Sequence, residues 1–278
     1  MLLQRVITAV VLLALLLPAL LADSLLPFAG LTLLMLGAAG WEWGRLNGLG
    51  QAGSMALGAA VALACAVAWW AGWAAQAPSA VWWVACVCWV AGGAWALRAG
   101  PSAWPLLPRA ARILLGWLVL SVAWLALAAA KQRGLGFILS ALCVVWAADI
   151  AAYFGGKAFG RRKLAPSISP GKSWEGVWSG MAGVALLAWA WVSLEAVWPV
   201  IAPSFFATVL ASQGVVLLAV AIVGLCGLSV VGDLMESSAK RAVGAKDSSR
   251  LLPGHGGVLD RIDALLPTLP AVMALTSL

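Results

Sequence analysis

Apolar runs long enough to cross a bilayer recur along this chain from Val6 to the C-terminal residues, and they constrain its fold more than any other feature. A spanning helix needs about 20 apolar residues. Such runs are read at 6–22, 25–40, 55–74, 80–97, 112–130, 135–154, 176–194, 214–235 and 258–278. Each is continuous rather than alternating, which excludes the ~10-residue dyad segments of a membrane β-barrel. The expected fold class is therefore all-α, a polytopic integral membrane protein with about nine transmembrane helices. Composition supports this: 64% of the 278 residues are hydrophobic and 10% charged, against about 25% charged in a soluble domain. The first run follows Arg5 as in a signal peptide, but Leu20 stands where cleavage needs a small residue and more runs follow at once, so a retained segment is expected. The stretch 198–213, interrupted by Pro199 and Pro203, stays outside the count as a re-entrant piece, an interfacial piece or a tenth span.

Charge orients the spans. With nine crossings and a cytoplasmic N-terminus, 15 of the 17 Lys and Arg residues fall inside, and only Lys131 and Arg133 fall outside. This is the positive-inside pattern. The net charge of +7 is thus read as topology beside an anionic leaflet, not as a nucleic-acid footprint. Cys65, Cys86, Cys88, Cys143 and Cys226 all lie in apolar runs without zinc spacing, and read as packing residues. The 18 tryptophans suit interfacial belts.

Acidic residues divide the chain. Only Asp23 and Glu42 precede Asp149, and the other eight acids lie from Asp149 onward. Chemistry is expected in the second part. The division is 1–130, membrane helices of unassigned role, and 131–278, a catalytic membrane region with cytoplasmic loops 155–173 and 236–257.

Asp149, Asp233 and Asp260 sit at or within the cytoplasmic ends of spans, where a carboxylate is costly and faces a cavity, a partner or an ion. Asp233 and Glu236 are three apart, as are Asp260 and Asp263, so each pair shares a helix face. Lys240 lies seven beyond Asp233 on that same face. Four acids on successive helix ends repel unless cations intervene. Lys240 and Arg241 supply part of that charge, and Mg²⁺, which suits carboxylates plus substrate phosphates, would supply more. Between the two pairs runs Lys246-Asp247-Ser248-Ser249-Arg250-Leu251-Leu252-Pro253-Gly254-His255-Gly256-Gly257. Its glycine-rich turn offers backbone N–H groups to a phosphate, and it holds the chain's single histidine. The earlier loop interleaves Gly155, Gly156, Lys157 and Gly160 with basic residues and continues through Ser169-Pro170-Gly171-Lys172-Ser173. This is not a P-loop, because Pro166 stands where the first glycine belongs and no strand–helix context is expected.

Ser238-Ala-Lys-Arg241, Lys246-Asp247, Leu252-Pro-Gly-His-Gly-Gly257, Asp260-Arg261 and Asp263 together resemble the signature of phosphatidate cytidylyltransferases, the CDP-diacylglycerol synthases. Asp149-Ile-Ala-Ala-Tyr153 and Ser169 through Gly176 are similar to further stretches of that family, so the likeness covers about 149–263. The resemblance implies transfer of CMP from CTP to phosphatidate at the cytoplasmic face of the inner membrane, releasing pyrophosphate. It implies Asp233, Lys240, Asp260 and Asp263 as catalytic, and Asp233 and Asp260 as ligands of Mg²⁺, with Glu236 and Asp149 beside them and room for a second cation. Substrate contacts are expected from Lys157, Lys172, Arg241, Lys246, Asp247, Arg250, His255, Gly256 and Gly257. The expected partners are CTP, phosphatidate and the lipid bilayer, without nucleic acid, and a homodimer stays open. A transporter would place acids near the midplane, and a CDP-alcohol phosphotransferase would show an Asp-Gly-x-x-Ala-Arg opening. Neither feature is found.

Overall fold

The computed structural model describes residues 2–198 and 203–278. Eight of its helices are long and apolar enough to cross a membrane: α1 (Leu2–Leu21), α2 (Leu25–Leu46), α3 (Gln51–Trp70), α5 (Ser79–Ala99), α6 (Arg109–Gln132), α7 (Leu135–Phe159), α8 (Trp174–Val197) and α9 (Phe205–Ala242). Between them lie the four-residue α4 (Trp73–Gln76), a 3₁₀ turn at Pro101–Leu106, and a two-stranded antiparallel hairpin of β1 (Lys163–Ala165) and β2 (Ser169–Ser173). The chain ends in α10 (Leu259–Ile262) and α11 (Leu265–Leu275). The all-α polytopic class is what the apolar runs dictate.

The ninth run differs in kind from the other eight. Asp260 and Asp263 break it near its start, and α11 has only 11 residues. Leu266 through Ala274 are all buried, so α11 is a central helix wrapped by α5, α6 and α9. A helix apolar on every side belongs in a core. By contrast, α1 leaves Leu3, Val6, Ile7, Val10 and Val11 at least half exposed, and α9 does the same with Val215, Val216, Val220 and Val223. Apolar faces of that extent suit lipid tails, not water.

The interrupted stretch 198–213 resolves in part. Residues 199–202 lie outside the described residues, and Phe205 begins a helical segment that joins the rest of α9 across a kink at Gly214. Phe205, Phe206 and Val209 are completely buried, and the Phe205 N–H donates to Ser140 Oγ at 2.8 Å. This half-helix is an inward-folded piece, not a tenth span. Gly214 takes φ +82°, a left-handed conformation in which glycine carries no Cβ penalty.

Small residues set the closest helix seam. Gly176, Gly180 and Gly183 of α8 face Ala148, Ala151 and Ala152 of α7. A Cβ on Gly180 would lie 3.0 Å from the Ala148 carbonyl oxygen. Without a hydrophobic drive between helices in lipid, this close backbone contact is what holds α7 to α8.

Contacts at helix ends confirm alternating directions. Lys131 Nζ donates to Ala22 O at 3.1 Å, Arg133 bonds Thr276, and Gln213 Nε2 reaches Leu275 O at 2.7 Å, all at one end. Arg109 bonds Gly48 O, and Thr8 Oγ1 donates to Pro253 O at 2.8 Å, at the other. That second end gathers the hairpin and the 243–258 segment. Across the division expected at residue 130, α2, α3, α5 and α6 pack into one body with α9 and α11.

Candidate active site

The last turns of α9 carry the charges. Asp233, Glu236 and Lys240 share one face, as their spacing requires. The helix continues to Ala242, so residues 236–242 of the expected loop 236–257 are helical. The reason is local: Lys240 Nζ pairs with Glu236 Oε2 one turn back and donates to Asp260 Oδ1 at 2.5 Å. Burying these groups costs less when a cation stands between two carboxylates than when any one is alone. Glu236 is 3% and Lys240 8% exposed, so both depend on that pairing.

Asp260 is held from several directions. Its Oδ2 accepts from Ser248 N (2.9 Å), Ser248 Oγ (2.9 Å) and Gly257 N (2.8 Å). Burial alone would raise its carboxyl, but the Lys240 ammonium and the two backbone N–H donors outweigh burial and hold it below the usual carboxylate range. Gly256 takes φ +84°, and a Cβ there would lie 2.7 Å from Asp260 Oδ2, so only glycine lets the turn close on this carboxylate.

A cavity of about 480 Å³ opens beside this cluster. Asp149 and Tyr153 of α7, Lys157 near its end, Ser169 and Lys172 of β2, and Asp233 of α9 line it. Lys172 Nζ meets Asp233 Oδ2 at 2.5 Å, and Ser237 Oγ donates to Asp233 Oδ1 at 3.2 Å. Ser173, the residue after Lys172, caps α8 by accepting from Gly176 N, so the hairpin is fixed to the helix it precedes. Glu175 adds a second tie, accepting from the N–H groups of Arg161 and Arg162 at 3.0 and 3.1 Å.

The expected site residues fall into distinct groups. Asp149, Lys157, Lys172 and Asp233 share the cavity, and Glu236, Lys240 and Asp260 form the buried cluster. Lys246, Asp247 and Arg250 line a separate open cleft with Arg45. Arg241 points to its own helix end and donates to Ala245 O at 3.0 Å. His255 lies in the turn with its N–H on Leu252 O at 2.8 Å, and its Nδ1 is buried without a hydrogen-bond partner among the described residues. Gly257 donates to Asp260, and Asp263 Oδ1 accepts from Ala264 N at 2.8 Å.

Among the described residues no three His, Cys, Asp or Glu side chains converge as a ready metal cage. Mg²⁺ does not need one, because it commonly uses one or two carboxylates and takes its remaining ligands from water and substrate phosphates. Asp149 and Asp233, which both line the cavity, are a donor pair of that kind.

Glu42 is a member of the site that the distribution of acids does not suggest, since it lies in the part of the chain poor in them. It is 0% exposed in α2, and the residues bonded to it are Ser248, Ser249, Val258 and Leu259. The signal in the sequence is slight: Glu42 stands between Trp41 and Trp43 just past the apolar run 25–40, and an acid that the helix carries into the membrane protein's interior is a functional candidate.

Fold and cavity together define a polytopic helical membrane protein with a charged site at one end of its helices. The cytidylyltransferase family model matches residues 3–278, and the chain belongs to that family. It is similar to the phosphatidate cytidylyltransferase of Pseudomonas aeruginosa, 42% identical over 99% of this chain and 97% of that protein. The Haemophilus influenzae protein of the same name is 45% identical over 50% of this chain and 44% of its own length. That of Bacillus subtilis is 40% identical over 53% of this chain and 49% of its own length.

Proposed function

We propose that this chain transfers the cytidylyl group of CTP to phosphatidate at the cytoplasmic face of the inner membrane, giving CDP-diacylglycerol and pyrophosphate. The observation that carries the reading is the likeness over nearly the whole length to a protein named for that reaction. A phosphatidate phosphate oxygen attacks the α-phosphorus of CTP. The bond from that phosphorus to the β-bridging oxygen breaks, and pyrophosphate leaves with the electron pair.

The side chains suit this chemistry, which depends on positioning and charge neutralisation. Lys157 and Lys172 on the cavity wall meet phosphate oxygens, with the hairpin and α8 keeping Lys172 in place. Lys240 holds Asp260 and Glu236 against their mutual repulsion, which keeps the end of α9 and its Asp233 in register with the cavity. Lys246, Arg250 and His255, with the N–H groups of Gly256 and Gly257, are further contacts for the triphosphate, and Arg241 and Asp247 flank them. Asp233 and Asp260, with Asp149, Glu236 and Asp263 beside them, would hold Mg²⁺. When bound, that cation neutralises developing charge on the phosphates. The positive-inside distribution of Lys and Arg supports an orientation with this end toward the cytosol, where CTP is found.

The test is conversion of phosphatidate and CTP by the purified protein in detergent. A CDP-lipid forms with equimolar pyrophosphate, and EDTA stops the reaction. Folded protein that yields no CDP-lipid from phosphatidate overturns the reading, and an undiminished rate in EDTA overturns its metal clause.

A further inference from the structure

Glu42 and Asp260 grip the same segment from opposite sides. Glu42 Oε1 accepts from Ser249 Oγ at 2.5 Å and from Val258 N at 3.0 Å, and Oε2 accepts from Leu259 N at 2.7 Å. Ser248 Oγ lies 3.2 Å from Glu42 Oε2 and 2.9 Å from Asp260 Oδ2, so one hydroxyl proton serves two carboxylates. More than 200 residues of chain separate Glu42 from its partners. No local turn preference could bring them together, and a fully buried carboxylate is tolerated only when donors surround it. Gly257 completes the arrangement. A Cβ there would collide with both Ser248 Oγ and the Glu42 carboxylate.

We infer that Glu42 is a positioning residue for the reaction, holding segment 248–259 so that the N–H groups of Ser248 and Gly257 stay aimed at Asp260. The inference rests on the cytidylyl-transfer reading and gives α2, in the part of the chain without an assigned role, a direct hold on the site. None of Glu42's hydrogen-bond partners lines the cavity around Lys172, and Ser248 and Ser249 stand between it and the cleft of Lys246 and Arg250, so it acts through the segment and Asp260 rather than by touching substrate. In Glu42→Gln the amide NH₂ replaces one acceptor oxygen, and it faces donors that it cannot satisfy.

The test compares Glu42→Gln, Ser249→Ala, Ser248→Ala and the Glu42→Gln/Ser248→Ala double variant, by kinetics and by amide hydrogen exchange in detergent. Glu42→Gln is expected to lower kcat by about 10- to 100-fold, the usual cost of losing an outer residue that orients a functional group. Its KM for phosphatidate should stay within about threefold of wild type, since the segment it holds carries triphosphate contacts and binding and turnover losses separate in this way. Exchange should quicken in 248–259 and not in α8. The double variant should be scarcely worse than Glu42→Gln, because the two act through one link. A kcat close to wild type in folded Glu42→Gln, a KM change matching the kcat change, or multiplying losses would each overturn the inference. If Glu42→Gln exchanges fast throughout, Ser249→Ala decides. A fall in kcat of about three- to tenfold, the scale of one hydrogen bond, with fast exchange confined to the segment, supports the inference, and wild-type behaviour overturns it. Wild-type protein that forms no CDP-lipid overturns the functional reading, while the exchange comparison still decides whether Glu42 holds the segment.

Discussion

At the scale of residues, the site is a set of carboxylates kept apart by lysines. Lys172 stands against Asp233, and Lys240 stands between Glu236 and Asp260. If Asp233 and Asp260 act as one unit on a shared cation, Asp233→Asn and Asp260→Asn should each lower activity by more than about 100-fold, the loss expected on removing an electrostatic element of ~3 kcal/mol. The double variant should be scarcely worse than either single one, since residues acting as a unit are grossly non-additive. Steady-state rates at matched protein levels check this, with exposed Asp23→Asn as the active control. A double loss equal to the product of the single losses would show separate roles. Much of this site is legible in the amino-acid sequence, because Asp233, Glu236 and Lys240 lie close together along the chain and share a face by helix geometry alone. The pairing of Lys172 with Asp233 is not, since it links β2 to α9 across 61 positions. Glu42 is hidden for the same reason, and its single sequence clue is its place between Trp41 and Trp43 at the edge of an apolar run.

At the scale of elements, apolar length accounts for the eight long helices, and charge spacing accounts for the functional end of α9. Length does not show that α11 is a short central helix or that α9 bends at Gly214, because both depend on what surrounds them. Nor does it show the β1–β2 hairpin, whose strands of three and five residues carry no apolar alternation. The α7–α8 seam is the element-scale feature most open to test. It aligns Asp149 and Lys157 with the hairpin that carries Lys172, and glycine makes the approach. Gly180→Leu should force the helices apart, at about 1–3 kcal/mol for overpacking a close contact. The expected outcome is a lower thermal midpoint in detergent together with reduced activity. An unchanged midpoint would show that the seam yields without cost.

At the scale of the whole molecule, alternating helix directions put the cavity, the hairpin and the 243–258 segment at one end, with Lys131 and Arg133 at the other. In the orientation we propose, the first end, rich in Lys and Arg, faces the cytosol. In a chain whose native cysteines are replaced, cysteines at Arg162 and Arg250 should resist an impermeant maleimide in sealed cells, and one at Gln132 should react. External labelling of Arg250→Cys would reverse the orientation. This overall layout is readable from the sequence, because one crossing more or fewer in the middle would scramble the charge pattern. The central claim is transfer of the cytidylyl group itself, and the fate of labelled CTP tests it most directly. With purified protein and phosphatidate, label at the α-phosphorus of CTP should appear in the lipid and label at the γ-phosphorus in pyrophosphate. Label from the γ-phosphorus in the lipid, or α-label released only as free CMP, would contradict the account.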